Sequence, residues 1–312
     1  MGRELAFRVP IGDDHAMRIV IAGSSGLIGT ACVALLRRRG HEVVRLVRRA
    51  PAAPDERRWD PPSGVIESGA LDGADAVINL CGAGILDRRW NDGRKQIIRD
   101  SRLVPSEVLA GAVADAGIPV LVNGSAVGYY GDTGDRAVDE GAPPGSGFVA
   151  GLCVDWEDAA AGATASGGRL VLARSGIVLA RSGGLLGRLR PLFSAMFGGR
   201  LGSGRQYMSW ISLEDHVAAL CSLIEDDSVS GPVNLTAPAP VTNDDFTRAL
   251  ATAVGRPAPW VVPGFALRAV VGGAADEMIL TGQRAVPRVL TSRGFRFAHP
   301  TVDSCLPATV GG

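Results

Sequence analysis

Three glycines at a spacing of three, Gly23, Gly26 and Gly29, stand between an apolar β-branched run and a stretch with helical periodicity. That arrangement suits a diphosphate. Its oxygens need bare backbone N–H groups opening a helix, where the dipole is positive and a Cβ would obstruct approach; the last glycine lets helix and strand pack closely. Ser24, Ser25, Leu27 and Ile28 complete the cradle. The spacing is G-x-x-G-x-x-G, not the commoner G-x-G-x-x-G, so the weight rests on context. Arg18–Ala22 (RIVIA) reads as a buried strand. Ile28, Cys32, Leu35 and Leu36 form one helical face, which Arg37, Arg38, Arg39 and Gly40 bring to an end. A glycine turn with no ligand is the plainer alternative. The next run, Glu42–Val47 (EVVRLV), is a second strand, and the residues after it separate two cofactors. An acid there would meet the ribose 2′-hydroxyl of NAD, and an arginine nearby the 2′-phosphate of NADP. Arg48 and Arg49 follow with no acid, and Arg48 comes first off the strand. The reading is NADP.

Further along, the strand expected at 75–80 ends in Asn79-Leu80-Cys81-Gly82, with Ala83 and Gly84 after it. Such small residues let backbone approach a cofactor, although a simple strand-end turn would use the same ones. Ser125 closes a strand at Val120–Asn123, with Tyr129 and Tyr130 shortly beyond it, and Arg174 ends another strand, RLVLAR. Ser125, Tyr129 and Tyr130 are the catalytic candidates, and Arg174 joins Ser125 among the cofactor contacts. A phenol acting near neutrality needs a cation or donor beside it, which Arg174 or the oxidised nicotinamide could supply. Packing with one hydroxyl satisfied is the alternative for each tyrosine, and loop capping for the serine. Trp90, Arg205, Tyr207 and Trp210 are weaker pocket candidates that read equally well as packing or solvated faces. The five cysteines and four histidines are scattered, with no CxxC pair and no metal framework.

The elements that must position these groups alternate strand and helix from Met17 onward, the signature of a doubly wound parallel α/β sheet. Short strands are expected at 58–59 and 65–66, and a helix over about 92–116 interrupted near Pro105. Another helix runs through Cys153, Trp156 and Glu157. Past Ser175 the rhythm changes to a glycine- and arginine-rich stretch, then helices capped by Ser212 and by Thr242 or Asn243. Residues 17–175 read as the nucleotide-binding domain and 176–312 mainly as a smaller C-terminal α/β substrate lobe. Residues 1–16 look like a poorly structured extension. With 32 basic and 32 acidic residues there is no electrostatic case for nucleic acid or an anionic membrane surface. No apolar run has spanning length and no signal-peptide core is seen, so cytoplasm is the expectation.

Taken together, MRIVIAGSSGLIG, DAVINLCG, NGSAVGYYG, LCVDWE, RSGIVLA, GSGRQYMSWI and GQRAVPRVL resemble the atypical "epimerase family" branch of the extended short-chain dehydrogenase/reductases over nearly all of 17–300. The resemblance implies a Rossmann sheet of order 3-2-1-4-5-6 and beyond, a small C-terminal lobe, NADP, and the return of 211–235 to the nucleotide domain. Members are commonly homodimers, an expectation that comes from the resemblance alone. Active members of the superfamily use a Ser and a Tyr-x-x-x-Lys pair. Ser125 matches the serine, but Gly147 and Gly151 fall where the pair would be, and no lysine follows Lys95. Two functions remain. One is an NADP-dependent oxidoreductase or epimerase on a small carbonyl or sugar-like substrate; the other is a non-catalytic NADP-binding sensor or scaffold. A serine hydrolase is rejected, because Ser125 is not within G-x-S-x-G and His216 has no sequence reason to reach it.

Overall fold

The structure, a computed structural model, describes residues 16–310; the extension expected at 1–16 lies almost wholly outside them. In chain order the first half contains β1 (Arg18–Ala22), α1 (Leu27–Arg38), β2 (Glu42–Val47), β3 (Glu56–Asp60), β4 (Val65–Ile66), β5 (Ala76–Asn79), α2 (Asp92–Asp115), β6 (Val120–Ala126), β7 (Ala137–Val138), α3 (Phe148–Asp158) and β8 (Arg169–Ser175). The second half adds β9 (Ile177–Leu179), α4 (Gly184–Ser194), β10 (Gly199–Leu201), β11 (Tyr207–Met208), β12 (Trp210–Ser212), α5 (Leu213–Glu225), β13 (Gly231–Leu235) and β14 (Val241–Thr242). It ends with α6 (Asn243–Val254), β15 (Trp260–Val262), α7 (Gly264–Val271), β16 (Arg284–Ala285), α8 (Arg288–Ser292) and α9 (Val302–Val310).

Eight strands form one sheet in the order β13-β8-β6-β5-β1-β2-β3-β4, parallel throughout except for the edge pair β3–β4. Read in order of appearance, this is the 3-2-1-4-5-6 arrangement with one further parallel strand, β13. The period of two along each strand deals its side chains to two cores. Ile19 and Ile21 face one, with Ala76, Ile78, Val120 and Val122, under α1 and α5. Val20 and Ala22 face the other, with Val77 and Leu121, under α2. Burial on both faces explains why these strands read as unbroken apolar runs.

Helix α2 differs from expectation. It runs through Pro105 without interruption. The proline is buried, and Ile98, Leu109 and Val113 pack either side of it, so tertiary burial outweighs the one backbone bond that proline removes. The expected caps do form: the Ser212 hydroxyl accepts from the Asp215 N–H at 2.9 Å, and Thr242 from Asp245 at 3.1 Å. A separate cluster built on Leu186, Phe193, Trp210, Phe246 and Leu306 joins α4, α6 and α9.

Candidate functional site

From β1 the chain winds to β2 and β3 on one side, then crosses back to β5, β6, β8 and β13 on the other. The crevice therefore opens between the carboxyl ends of β1 and β5, where the winding reverses. The glycine turn stands there. Gly23 has φ +81°, and a Cβ on it would lie 2.6 Å from the Leu80 carbonyl oxygen, so the turn and the end of β5 touch. A Cβ on Gly29 would lie 2.2 Å from the Gly23 carbonyl oxygen. Gly26 is different. It has ordinary extended backbone, is exposed, and a Cβ there would meet only the Gly23 oxygen at 3.5 Å. Nothing among the described residues requires Gly26 to be glycine. No acidic residue enters the first turn of α1, and no side chain caps it.

At the end of β2 the two arginines part ways. Arg49 grips the buried Glu56 carboxylate through two bonds of 2.7 and 2.6 Å, and Arg45 adds a contact at 3.2 Å. Arg49, with the Ala52 N–H, pulls Glu56 down to about 2. Arg48 is exposed, and among the described residues no ion pair holds it. Its charge nonetheless reaches Cys81 across the crevice and draws that thiol's pKa down, against a burial that pushes it up to about 12.

The remaining candidates fall in two further groups. Asn79 is fully buried; its amide donates to Ser106 Oγ at 3.0 Å and Asn123 Oδ1 at 2.7 Å, and its oxygen accepts from the Cys81 N–H. Its side chain is thus committed to tying β5, β6 and α2 together. Ser125, Tyr130 and Arg174 converge on a residue not singled out from sequence, Glu157 of α3. The Ser125 hydroxyl donates to Glu157 Oε1 at 2.6 Å, and Arg174 donates from Nε and Nη2 to the two carboxylate oxygens, both at 2.8 Å. Arg174 also donates to the Tyr130 hydroxyl at 3.1 Å, which in turn donates to Asn234 Oδ1 at 2.7 Å. Burial alone would lower the Arg174 pKa, but the Glu157 bonds raise it above the ordinary value. Burial likewise raises Tyr130, with Arg174 opposing.

Two of the expected site residues are engaged within the fold. Arg174, read as a cofactor contact, is 3 % exposed and spent on Glu157 and Tyr130. Tyr130, read as catalytic, is buried with its hydroxyl bonded on both sides. Tyr129 is the other case. It is half-buried, its ring lies 3.5 Å from the Arg174 guanidinium carbon, and among the described residues its hydroxyl makes no hydrogen bond. Glu157 had left a trace: an acid one residue beyond Trp156 on an apolar helix face. Asn234, set in the apolar strand GPVNL, had left another. A surface hollow of about 660 Å³ beside Arg200, Thr247, Arg256 and Trp260 contains none of these groups.

Residues 19–235 match the model of the NAD dependent epimerase/dehydratase family. The chain belongs to that family. Residues 262–308 match a second model, a domain of unknown function. Among relatives, the epimerase family protein Mb2239 of Mycobacterium bovis is 57% identical over 288 residues, covering 92% of this chain and 96% of that protein. Among solved structures, human epimerase family protein SDR39U1 with NADPH superposes with a TM-score of 0.87 at 34% identity, covering 95% of this chain and 99% of that one. A nucleoside-diphosphate sugar epimerase from Corynebacterium glutamicum gives 0.80 at 36% identity, over 96% of this chain and 59% of the other. Family membership accounts for the strand order and the glycine turn. It leaves the bonding around Glu157 to be read from the residues themselves. No helix among the described residues is long and apolar enough to cross a membrane.

Proposed function

We propose that this chain is an NADP-dependent oxidoreductase or epimerase acting on a small carbonyl or sugar-like molecule. The observation that carries the reading is Tyr129, a phenol left unbonded at the carboxyl end of β6 while Ser125 and Tyr130 are engaged in holding the network around it. The residues fit the cofactor. The exposed Gly26 and the bare opening of α1 would take the diphosphate, and Arg48, unpaired among the described residues, would take the 2′-phosphate. NADPH held there would supply a hydride. Tyr129 would give or take the accompanying proton. Arg174 keeps the Tyr129 ring in place through a cation–π contact of about 1–2 kcal/mol, and Glu157 keeps Arg174 in place. The human relative crystallised with NADPH supports the choice of cofactor.

The test is a paired titration with NADPH and NADH after bound nucleotide is stripped. NADPH is expected to bind more tightly, and Arg48→Ala to cost it roughly ten- to hundredfold while leaving NADH unchanged, as loss of a charge-assisted contact predicts. Equal affinities for the two would overturn the assignment of Arg48. The glycines at 147 and 151, where the usual Tyr and Lys are missing, favour a second reading: a non-catalytic NADP-binding sensor or scaffold. Tyr129→Phe separates the two, because it abolishes turnover of a true substrate in an enzyme and changes nothing in a sensor.

A further inference from the structure

The turn after β5 is lined by cations that have no anion among the described residues. Arg102, on α2, donates from Nη1 to the carbonyl oxygens of Ala83 at 3.1 Å and Ile98 at 3.0 Å. Its guanidinium lies flat along Gly82, with all three terminal atoms 3.1–3.4 Å from where a Cβ would stand, and its Cζ is 5.1 Å from the Trp156 ring. Two turns earlier on α2, Arg94 donates from Nη2 to the carbonyl of Gly84, and its Nε is buried without a partner among the described residues. Lys95, the chain's single lysine, sits over the rings of Phe148 and Trp90 at 4.9 and 5.9 Å. Among the described residues none of the three pairs with a carboxylate. Asp87 lies against Gly84, but Arg188 holds it at 2.8 Å.

Arginine cannot shed its proton, and gathering like charges in a partly desolvated turn is unfavourable unless an anion compensates. We infer that Arg94 and Arg102, with Lys95 beside them, hold an oxyanion of the substrate, a phosphate or carboxylate group. This rests on the NADP reading, which already gives the cofactor's own charges their hosts: the glycine turn for the diphosphate and Arg48 for the 2′-phosphate. The turn also leads away from Gly23, toward the second half of the chain. Arg188 of α4 donates to the Leu86 carbonyl at 3.0 Å, and the Trp90 N–H donates to Val271 of α7 at 3.4 Å. A substrate bridging the nicotinamide and that half would pass these cations.

The probe is inorganic phosphate, titrated calorimetrically into the NADP⁺-saturated protein. Phosphate is expected to bind the wild type, to bind Arg94→Gln at least tenfold more weakly, and to bind Arg102→Lys with an intermediate loss, while NADPH affinity stays within about twofold in both variants. Arg94 is the more peripheral of the two, so its variant guards against a folding failure at Arg102. Undiminished phosphate binding by Arg94→Gln, or none by the wild type, overturns the inference. A parallel tenfold loss of NADPH affinity in Arg94→Gln also overturns it, by assigning the anion to the cofactor. If the wild type binds no NADPH, the cofactor reading falls by itself, and the same phosphate titration of the free protein still decides this one.

Discussion

Gly26 and Gly29 lie three residues apart in one turn, yet their missing Cβ atoms serve different ends. At Gly29 the methyl of alanine would enter space already filled by the Gly23 carbonyl. Gly29→Ala should therefore lower stability by about 1–3 kcal/mol through overpacking, read as a drop in the denaturation midpoint. At Gly26 the methyl would stand in the open mouth of the crevice. Gly26→Ala should melt close to wild type and bind NADPH at least tenfold more weakly. A Gly26→Ala protein that melts normally and binds normally would move the diphosphate off this turn. The two arginines after β2 make the same point about neighbouring residues. Arg49 is a structural ion-pair partner, and Arg48, exposed and without an ion pair among the described residues, is the one to which the proposal gives a ligand.

Between elements, the ties run through Glu157. It joins α3 to the ends of β6 and β8, and through Arg174 and Tyr130 to Asn234 of β13. Glu157→Gln removes the charge that compensates a buried guanidinium. The expected loss is about 3 kcal/mol in chemical denaturation, since breaking one side of a buried pair strands the other. A change under 1 kcal/mol would mean that Arg174 finds its compensation elsewhere. Much of this architecture was legible in the sequence. The alternation of strands and helices, the glycine turn and both polar helix caps follow from local pattern, because period and cap chemistry act within a few residues, whereas the strand order was implied by the family resemblance. The bonding at Glu157 does not. Its partners Ser125 and Arg174 come from 32 and 17 residues away, and Asn234 and Tyr130 from 104 residues apart, so only the sheet brings them together. Arg174, read from sequence as a cofactor ligand, is instead found holding Glu157 and Tyr130 beside the Tyr129 ring. Pro105 misled for the opposite reason: a local rule was overruled by long-range burial.

For the molecule as a whole, acid stability turns on a histidine away from the crevice. His216, on α5, is fully buried in the core between that helix and the sheet; its Nε2 is 2.8 Å from Ser175 Oγ, and its Nδ1 has no partner among the described residues. Burial disfavours the imidazolium and lowers the pKa to about 4. In the unfolded chain the same group titrates near 6.5. Between those values the unfolded state binds more protons than the folded one, so stability rises with pH across the window and is lost as pH falls from about 6.5 toward 4. The full shift corresponds to about 3 kcal/mol, a large part of an ordinary folding free energy. Asp55, lowered from 3.8 to about 2 chiefly by its hydrogen bond to Arg45, and Glu56, lowered from 4.5 to about 2 chiefly by Arg49, lose their contributions as pH falls from those ordinary values toward 2, so they overlap the histidine window only at its acid end. Above about pH 4.5 the histidine effect therefore stands alone. Denaturation midpoints measured from pH 7 to 4 should fall steeply in the wild type. In His216→Leu, which fills similar space with no titrating group, the same plot should be nearly flat above pH 4.5. A wild-type curve as flat as the variant's would show that His216 takes its proton inside the fold, with water or Ser175 compensating the charge. Parallel falls in both would place the acid-sensitive group elsewhere in the chain.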